Sequence, residues 1–336
     1  MLDQRIYAFG YNGFGQTNPE TRDVIISSPT DITEITNCNK IIWANMNVTL
    51  GEMRDINSEN KNPLMLWGFN PIFNEISLPK PTEYRNVKKC FGDDDGIQGF
   101  LDLDGNLHYI DLDSGQINVS NFPMKFVDIA QFWTGKDVVG ITMDGKLLKW
   151  NLRENLTVEE IIMQSKYGLD DYFFTNVTCG ENHCLALTQD GEVFSWGSGR
   201  YGQLGHGDIS SLDKPKVIEF FQGLKISQIM CGGWHSTAIS DSGDLYTFGY
   251  NHMGRLGIPQ SEMNANLVNY AEPSLIEIGD DTNVLKVTYD YRLWTCGWGK
   301  YGQQGQAFGK LSDKFFFSPV LGDSNSDGIK IIDCYC

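Results

Sequence analysis

Residues 177–218 read VTCGENHCLALTQDGEVFSWGSGRYGQLGHGDISSLDKPKVI, and residues 229–257 begin the same phrase again as IMCGGWHSTAISDSGDLYTFGYNHMGRLG. Cys179 and Cys231 stand 52 residues apart, and so do His183 and His235. A shorter third copy, WTCGWGKYGQQG, runs from Trp294 to Gly305. Repeated units of about 40 to 50 residues that are rich in short strands are typical of β-propeller blades. The sequence therefore predicts one supersecondary unit repeated along the chain.

A turn signal marks the same place in four units, at Asp104-Gly105, Asp144-Gly145, Asp190-Gly191 and Ser242-Gly243. Apolar residues alternate on both sides of each pair, as in LALTQDGEVFSW. An Asp-Gly pair between alternating runs predicts a β-hairpin with a two-residue type I′ turn, in which both central residues have positive φ. Inner strands are predicted before the hairpins at 40–46, 86–90, 126–130, 176–179 and 227–231, with partial copies at 285–288 and 330–334.

These units predict an all-β fold, a seven-bladed β-propeller formed by residues 1–336 as a single domain. The N-terminal residues 6–16 match the second half of a unit and the C-terminal residues match the first half, so the two ends should close the ring. One blade is expected to be shortened at 287–297, and closure to be incomplete because the chain stops after an inner strand. A short helical turn is expected near 158–165.

Composition agrees with a large single core, since 41% of the 336 residues are hydrophobic. We find no long apolar window and no secretory signal at the start, and we expect a reducing compartment. Cys90, Cys179, Cys231 and Cys334 occupy the same position in their units, where a small apolar side chain would pack against the inner strand. No disulfide is implied by this pattern.

The formal net charge of −17 argues against direct binding to nucleic acid, which requires clustered Lys and Arg. Basic protein partners fit this charge better. The acidic residues are dispersed as short pairs, which is also typical of an ordinary solvated surface.

The repeat resembles the regulator of chromosome condensation repeat family, whose units combine CGxxH, a DG hairpin, a strand ending in WG and a glycine-rich GQLG turn. The resemblance is strongest in two units and implies structural roles for the residues that carry it. These are Gly180, His183, Gly191, Trp196, Gly197, Gly202 and Gly205, then Gly232, His235, Gly249, Gly254 and Gly257, and in the short copy Gly297, Gly302 and Gly305.

Within this family the chain looks like the small single-domain member that works with a JmjC-type oxygenase, a histone demethylase, in chromatin regulation and chromosome segregation. The resemblance then implies a non-enzymatic scaffold in the nucleus, on chromosomes, or in the cytoplasm. An alternative is guanine nucleotide exchange on a Ran-like small GTPase. A tubulin or cytoskeletal partner is a third possibility, and none of these involves a membrane.

Each candidate for chemistry has a better structural explanation. Residues 197–202 and 297–302 both satisfy G-x-G-x-x-G, but a dinucleotide fingerprint occurs once and opens a helix, whereas these turns recur with the repeat. His183 and His235 share a repeat position, which favours hydrogen bonding over metal binding or catalysis. Asp102, Asp104 and Asn106 lack the glycine spacing of a calcium loop. No catalytic residue, metal or cofactor is predicted.

Recognition is therefore expected on surface loops. The longest segments that lack the repeat pattern are 57–63, 153–172 and 259–273. Loops on a rigid scaffold commonly carry recognition, but a propeller also tolerates insertions there. Which residues bind a partner cannot be read from the sequence.

Overall fold

The computed structural model describes residues 5–13, 16–44, 47–53, 64–70, 75–82, 84, 86–93, 96–110, 117–119, 124–134, 137–152, 158–161, 172–258, 269–276, 293–297 and 314–321. The first part contains β1 (Tyr7–Tyr11), β2 (Ile25–Asp31), α1 (Thr33–Thr36), β3 (Cys38–Ala44), β4 (Val48–Met53), β5 (Leu64–Asn70), β6 (Glu75–Pro81), β7 (Val87–Asp93), β8 (Gly96–Asp102), β9 (Leu107–Ile110) and β10 (Ile117–Val119).

The second part contains β11 (Phe126–Gln131), β12 (Asp137–Thr142), β13 (Leu147–Asn151), β14 (Glu159–Glu160), β15 (Phe174–Cys179), β16 (His183–Thr188), β17 (Val193–Gly197), β18 (Leu212–Val217), β19 (Ile226–Cys231), β20 (His235–Ser240), β21 (Leu245–Tyr250), β22 (Asn269–Ile276), β23 (Leu293–Gly297) and β24 (Lys314–Leu321). Short 3-10 turns lie at Glu219–Phe221 and His252–Gly254.

Consecutive strands pair with one another in sequence order. Five sheets have four strands each, namely β3–β6, β7–β10, β11–β14, β15–β18 and β19–β22, while β1 pairs with β2 and β23 with β24. The described residues thus form seven sheets, which confirms the prediction of an all-β chain built from repeated sheet units.

Two compact units are present. The first comprises 1–121, 291–313 and 318–336, and the second comprises 122–290 and 314–317. The shortened repeat before Leu293 and the C-terminal strand at 330–334 lie outside the described residues, so the single domain and its closure by the chain ends stay predictions.

The central strand β16 of the second compact unit is buried on both faces. All six residues of β16 are buried. Cys184 and Ala186 belong to a core cluster shared with β11–β14, whereas Leu185 and Leu187 belong to a cluster shared with β19–β22. Because side chains alternate along a strand, the two sets point to opposite sheets. Face-to-face packing of neighbouring sheets therefore follows from the near-continuous apolar strand.

The first unit repeats this arrangement. Leu50 and Leu64 from β3–β6 share a core cluster with Val87, Phe100 and Ile110 from β7–β10. Cys90 is a buried member of the same cluster, in the packing role predicted for it.

The hairpins at the Asp-Gly positions differ from the predicted two-residue turns. In the hairpin loop at 188–192, Gly191 N–H donates to Thr188 O at 3.1 Å, and Thr188 N–H donates to Glu192 O at 2.9 Å. Positive φ occurs at Gly191 alone, at 89°, and not at Asp190. These contacts define a three-residue loop, a type I turn followed by a left-handed glycine. The type I′ prediction was wrong because it assigned positive φ to the aspartate.

Polar side chains at the start of these loops explain the choice of turn. Glu192 N–H donates to Thr188 Oγ1 at 3.0 Å, and Asp244 N–H donates to Ser240 Oγ at 3.0 Å. In the loop considered for calcium, Asn106 N–H donates to the Asp102 carboxylate at 2.8 Å, so this carboxylate serves the hairpin.

The cysteine expectation needs one correction. Cys179 and Cys184 form a disulfide that joins β15 to β16, with their Cα atoms 4.2 Å apart. Directly opposed positions of an antiparallel pair bring two Cβ atoms close enough for this bond. The repeat position of Cys179 was recognised from sequence, but Cys184 lies outside that position and was not considered as its partner. Cys231 is free and buried.

Helix is scarce in the described residues. Of the segment where a short helical turn was predicted, residues 158–161 are not helical, and 162–165 lie outside the described residues. Glu159 and Glu160 pair with β13 as a strand, whereas a four-residue helix lies at Thr33–Thr36. Among the described residues, no helix has the length and apolar character needed to cross a membrane.

A glycine near the end of the third strand has positive φ in three sheets: Gly68 (105°), Gly197 (100°) and Gly249 (105°). A Cβ at Gly197 would lie 2.4 Å from Asn182 O, and one at Gly249 would lie 2.7 Å from Trp234 O. Both the backbone conformation and the space therefore require glycine at this point of the repeat.

We expect Gly197→Ala to lower the free energy of unfolding by more than about 2 kcal/mol, because strain at positive φ adds to a backbone clash. Gly223 is the matched control: its φ is 84° and no heavy atom lies within 4 Å of a Cβ built there. Gly223→Ala should cost only about 1 kcal/mol. Urea unfolding of both variants measures the difference, and equal losses would show that the close approach to Asn182 is unimportant.

Candidate protein-interaction surface

The loops that follow the first strands of three consecutive sheets are joined by backbone hydrogen bonds. Trp133 N–H, after β11, donates to Gly180 O at 3.0 Å, and Glu181 N–H, after β15, donates to Gly233 O at 3.0 Å. These loops occupy equivalent positions in their sheets. They therefore form a continuous surface along one edge of the second unit.

His183 links two repeats beneath this surface. Its side chain is fully buried, and its Nε2 lies 3.0 Å from Ser236 Oγ. Ser236 in turn donates to Gln203 O at 2.8 Å. Since the serine proton is used on Gln203, the imidazole donates from Nε2 and is neutral in this network. His183 thus contacts Ser236 in the next sheet, and Ser236 holds the turn at Gln203, which belongs to the same repeat as His183.

Burial lowers the pKa of His183 to about 3, with the nearby His235 as a smaller cause. His183 Nδ1 accepts no hydrogen bond from the described residues, so its protonation would place an uncompensated charge inside the protein. Burial also lowers the pKa of His235 to about 4, and the charge of Arg255 contributes. Both imidazoles are therefore neutral near pH 7.

The CGxxH spacing has a steric cause. A Cβ at Gly180 would lie 2.4 Å from His183 Cε1, and a Cβ at Gly232 would lie 2.1 Å from His235 Cε1. Each ring therefore packs against the bare backbone of the glycine three residues earlier.

We expect the free energy of unfolding to fall as the pH falls below the unfolded-state value of about 6.5, because the unfolded chain then binds a proton that folded His183 excludes. Between about pH 7.5 and pH 5 this site should cost about 2 kcal/mol. His183→Gln should reduce that loss, whereas His252→Gln, at an exposed ring, should not. Urea unfolding at several pH values measures both. An unchanged pH dependence in His183→Gln would contradict the burial of a neutral ring.

The glycine-rich turns are tethered by side chains that repeat with the same 52-residue spacing. Ser195 Oγ donates to Leu204 O at 2.7 Å, and Thr247 Oγ1 donates to Leu256 O at 3.0 Å. Gln203 closes its own turn by accepting a hydrogen bond from Tyr201 N–H at 2.9 Å. These tethers were not found from sequence, because Ser and Thr at matching positions have no common single-letter signature.

The N-terminal half-unit contains the same anchor in the first compact unit. Gln16 O accepts hydrogen bonds from Thr49 Oγ1 at 3.0 Å and from Trp67 Nε1 at 2.8 Å. Asn12 and Asn251 are both buried, and each accepts backbone N–H groups of the turn that follows it. The recurrence of Asn in FGYN at 9–12 and 248–251 was the signal that could have identified them.

Three aromatic rings converge where the turn of one repeat meets the next sheet. We call Tyr201, Trp234 and Tyr250 the aromatic surface. The ring centroids are 5.7 Å apart for Tyr201 and Trp234, 4.8 Å for Tyr201 and Tyr250, and 5.9 Å for Trp234 and Tyr250. Arg255 lies over the Tyr250 ring at 5.5 Å from its centroid. All three rings are partly exposed.

A cleft of about 530 Å³ opens beside the aromatic surface. Its lining residues are Glu181, Asn182, Ser198, Arg200, Tyr201, Gln203, Ser211 and Trp234. No hydrogen bond or ion pair joins the Glu181 carboxylate or the Arg200 guanidinium to any other residue that the structure describes. Trp133, which is 52% exposed, extends the surface, because a Cβ at its neighbour Gly233 would lie 3.2 Å from the Trp133 ring.

The remaining predicted repeat residues are distributed along this scaffold. Trp196 is buried in the core cluster between β11–β14 and β15–β18. Positive φ is found at Gly202, Gly205, Gly254 and Gly257 in the turns. Gly297 ends β23, whereas Gly302 and Gly305 lie outside the described residues. After the G-x-G-x-x-G at 197–202 the chain continues through turns to β18, without a helix that could hold a pyrophosphate.

Aromatic rings beside two charged side chains characterise this surface. Within the described ranges, no group of three or more His, Cys, Asp or Glu side chains could hold a metal ion. Aromatic rings with a charged rim are the composition of protein-binding surfaces. Most of the three segments expected to carry recognition, 57–63, 153–172 and 259–273, lies outside the described residues, and the aromatic surface was missed because its residues fall within the repeat pattern.

Comparison with known families finds the repeat itself. A model described as Regulator of chromosome condensation (RCC1) repeat matches residues 190–239, and a second model with the same description matches 174–203 and 226–255.

Curated relatives match over part of their length. RCC1 domain-containing protein 1 of Mus musculus is 33% identical over 166 residues, which covers 38% of this chain and 44% of that protein. The E3 ubiquitin-protein ligase HERC2 of Homo sapiens is 38% identical over 142 residues, covering 39% of this chain but 3% of the ligase. The chain therefore spans less than half of the length of either relative.

Solved structures match over nearly the whole chain. Human WBSCR16 has a TM-score of 0.74 at 17% identity, covering 95% of this chain and 94% of that one. Prp20p from Saccharomyces cerevisiae, whose structure was described together with its binding to Gsp1p and histones, has a TM-score of 0.72 at 16% identity, covering 97% and 88%. The chain thus carries regulator of chromosome condensation (RCC1) repeats and has the β-propeller fold of the proteins built from them.

Proposed function

We propose that this protein is a non-catalytic propeller that binds other proteins, and that it acts as an adaptor for a JmjC-type oxygenase or histone demethylase. The observation that carries the binding function is the aromatic surface with its charged cleft, which is built across two repeats on a hydrogen-bonded frame. The partner class is what the sequence resemblance to the small single-domain member of the family implies. We place this function on chromosomes in the nucleus.

Charge supports a basic partner. The chain has a formal net charge of −17, so a basic face on the oxygenase would be attracted to it over a distance of about one Debye length. The same charge disfavours direct binding to DNA.

Guanine nucleotide exchange on a Ran-like GTPase is the second candidate. It is favoured by the fold shared with Prp20p, which binds Gsp1p. At 16% identity this likeness concerns the fold, and the aromatic surface offers no reason to prefer a GTPase. We therefore rank exchange below the adaptor function, and binding to tubulin below both.

Two measurements on one preparation of the protein distinguish the adaptor function from guanine nucleotide exchange. We expect binding to an immobilised JmjC oxygenase with association that slows as salt rises from about 0.1 M to 1 M, because the Debye length shrinks from about 10 Å to 3 Å. Release of a fluorescent guanine nucleotide from a Ran-like GTPase should stay at its spontaneous rate. Accelerated release in proportion to added protein, without oxygenase binding, would reverse the ranking.

A further inference from the structure

We infer that the aromatic surface binds an arginine side chain from a basic segment of a partner protein, with the guanidinium stacked on the outer face of Trp234 or Tyr201 and paired with Glu181. This inference rests on the proposed protein-binding function and names the chemical group that the site recognises.

The ring cluster already binds one guanidinium from its own chain. Arg255 lies 5.5 Å from the centroid of Tyr250, within the distance at which a cation is attracted to the face of an aromatic ring. Tyr250 therefore has its cation, whereas Tyr201 and Trp234 have no cation stacked on them in the described part of the chain. Trp234 has the ring type that attracts cations most strongly.

Ring spacing selects the mode of binding. The three centroids are 4.8 to 5.9 Å apart, so the rings pack against one another. A cation held between two rings needs about 3.5 Å of contact distance on each side, or about 7 Å in total. The surface is therefore not a cage for an ammonium group. A planar guanidinium can instead lie flat on an outer ring face.

Glu181 supplies the opposite charge. It lines the same cleft as Tyr201 and Trp234, and its carboxylate has no partner among the described residues. A carboxylate matches the two parallel N–H groups of a guanidinium, which an ammonium cannot offer. Arg200 also lines the cleft, and its positive charge repels this ligand, so its removal should strengthen binding.

The test uses the full chain and three labelled decapeptides of Gly and Ser that carry a central Arg-Arg, Lys-Lys or Glu-Glu pair, followed by fluorescence anisotropy at about 0.1 M salt. We expect the arginine peptide to bind most tightly, the lysine peptide about two- to fivefold more weakly, and the glutamate peptide not measurably.

Removing the charge of Glu181 and removing that of Arg200 should change the affinity for the arginine peptide in opposite directions. Glu181→Gln should weaken the arginine peptide about two- to fivefold, and Arg200→Gln should strengthen it by a similar factor. Glu192→Gln is the matched control, because it removes the same charge near the other end of β16. Trp234→Leu should weaken binding and Trp234→Phe should restore part of it. Thermal unfolding of each variant checks that the fold is retained.

Three results would overturn the inference. Equal binding of the arginine and lysine peptides would show attraction by charge without guanidinium recognition. Tighter binding of the glutamate peptide, lost in Arg200→Gln, would make the cleft a site for an acidic segment. Loss of binding in Glu192→Gln equal to that in Glu181→Gln would show that the net charge of the protein, and not a contact with Glu181, attracts the peptide. If the oxygenase still binds in any of these cases, the proposed adaptor function stands while the arginine site is wrong.

Discussion

Burial of both faces of the central strands, such as β8 and β16, is the constraint on which the rest of this structure depends. Along β16 the side chains alternate between two different cores, so no residue of this strand is left to meet a partner. Polar groups in such strands must be satisfied internally, as His183 Nε2 is by Ser236. The candidate surface consequently lies at the strand ends, where loops of successive sheets are joined by backbone hydrogen bonds.

Much of the fold could be predicted because the signals were repeated. The 52-residue spacing located the sheets, and inner strands such as 227–231 were placed within one residue of β19. The turn type was missed because it depends on a polar side chain at the start of the loop. Thr188, for example, accepts the Glu192 N–H, and the Asp-Gly pair does not reveal this contact. The Cys179–Cys184 bond was missed because strand register, and not repeat position, brings those residues together.

The candidate surface was harder to predict for a related reason. Repeat analysis highlights residues that are alike in every unit, and these proved to be turn glycines and buried rings. Tyr201 and Trp234 stand in different units, and only the docking of one turn onto the next sheet through Gln203 and Ser236 brings their rings together. That contact joins positions 33 residues apart, which no local pattern reports.

Two residues of the aromatic surface stand at positions that differ between the two matching repeats. Fifty-two residues before Trp234 the chain has Asn182, and 52 before Tyr250 it has Ser198. Both of these polar residues line the cleft, together with Tyr201 and Trp234 of the aromatic surface. Copying either unit alone would therefore extend the scaffold without creating a second aromatic cluster. Binding selectivity in such a protein depends on the contact between two repeats that differ in sequence. Substitutions at one such contact can therefore change selectivity while the shared framework stays unchanged.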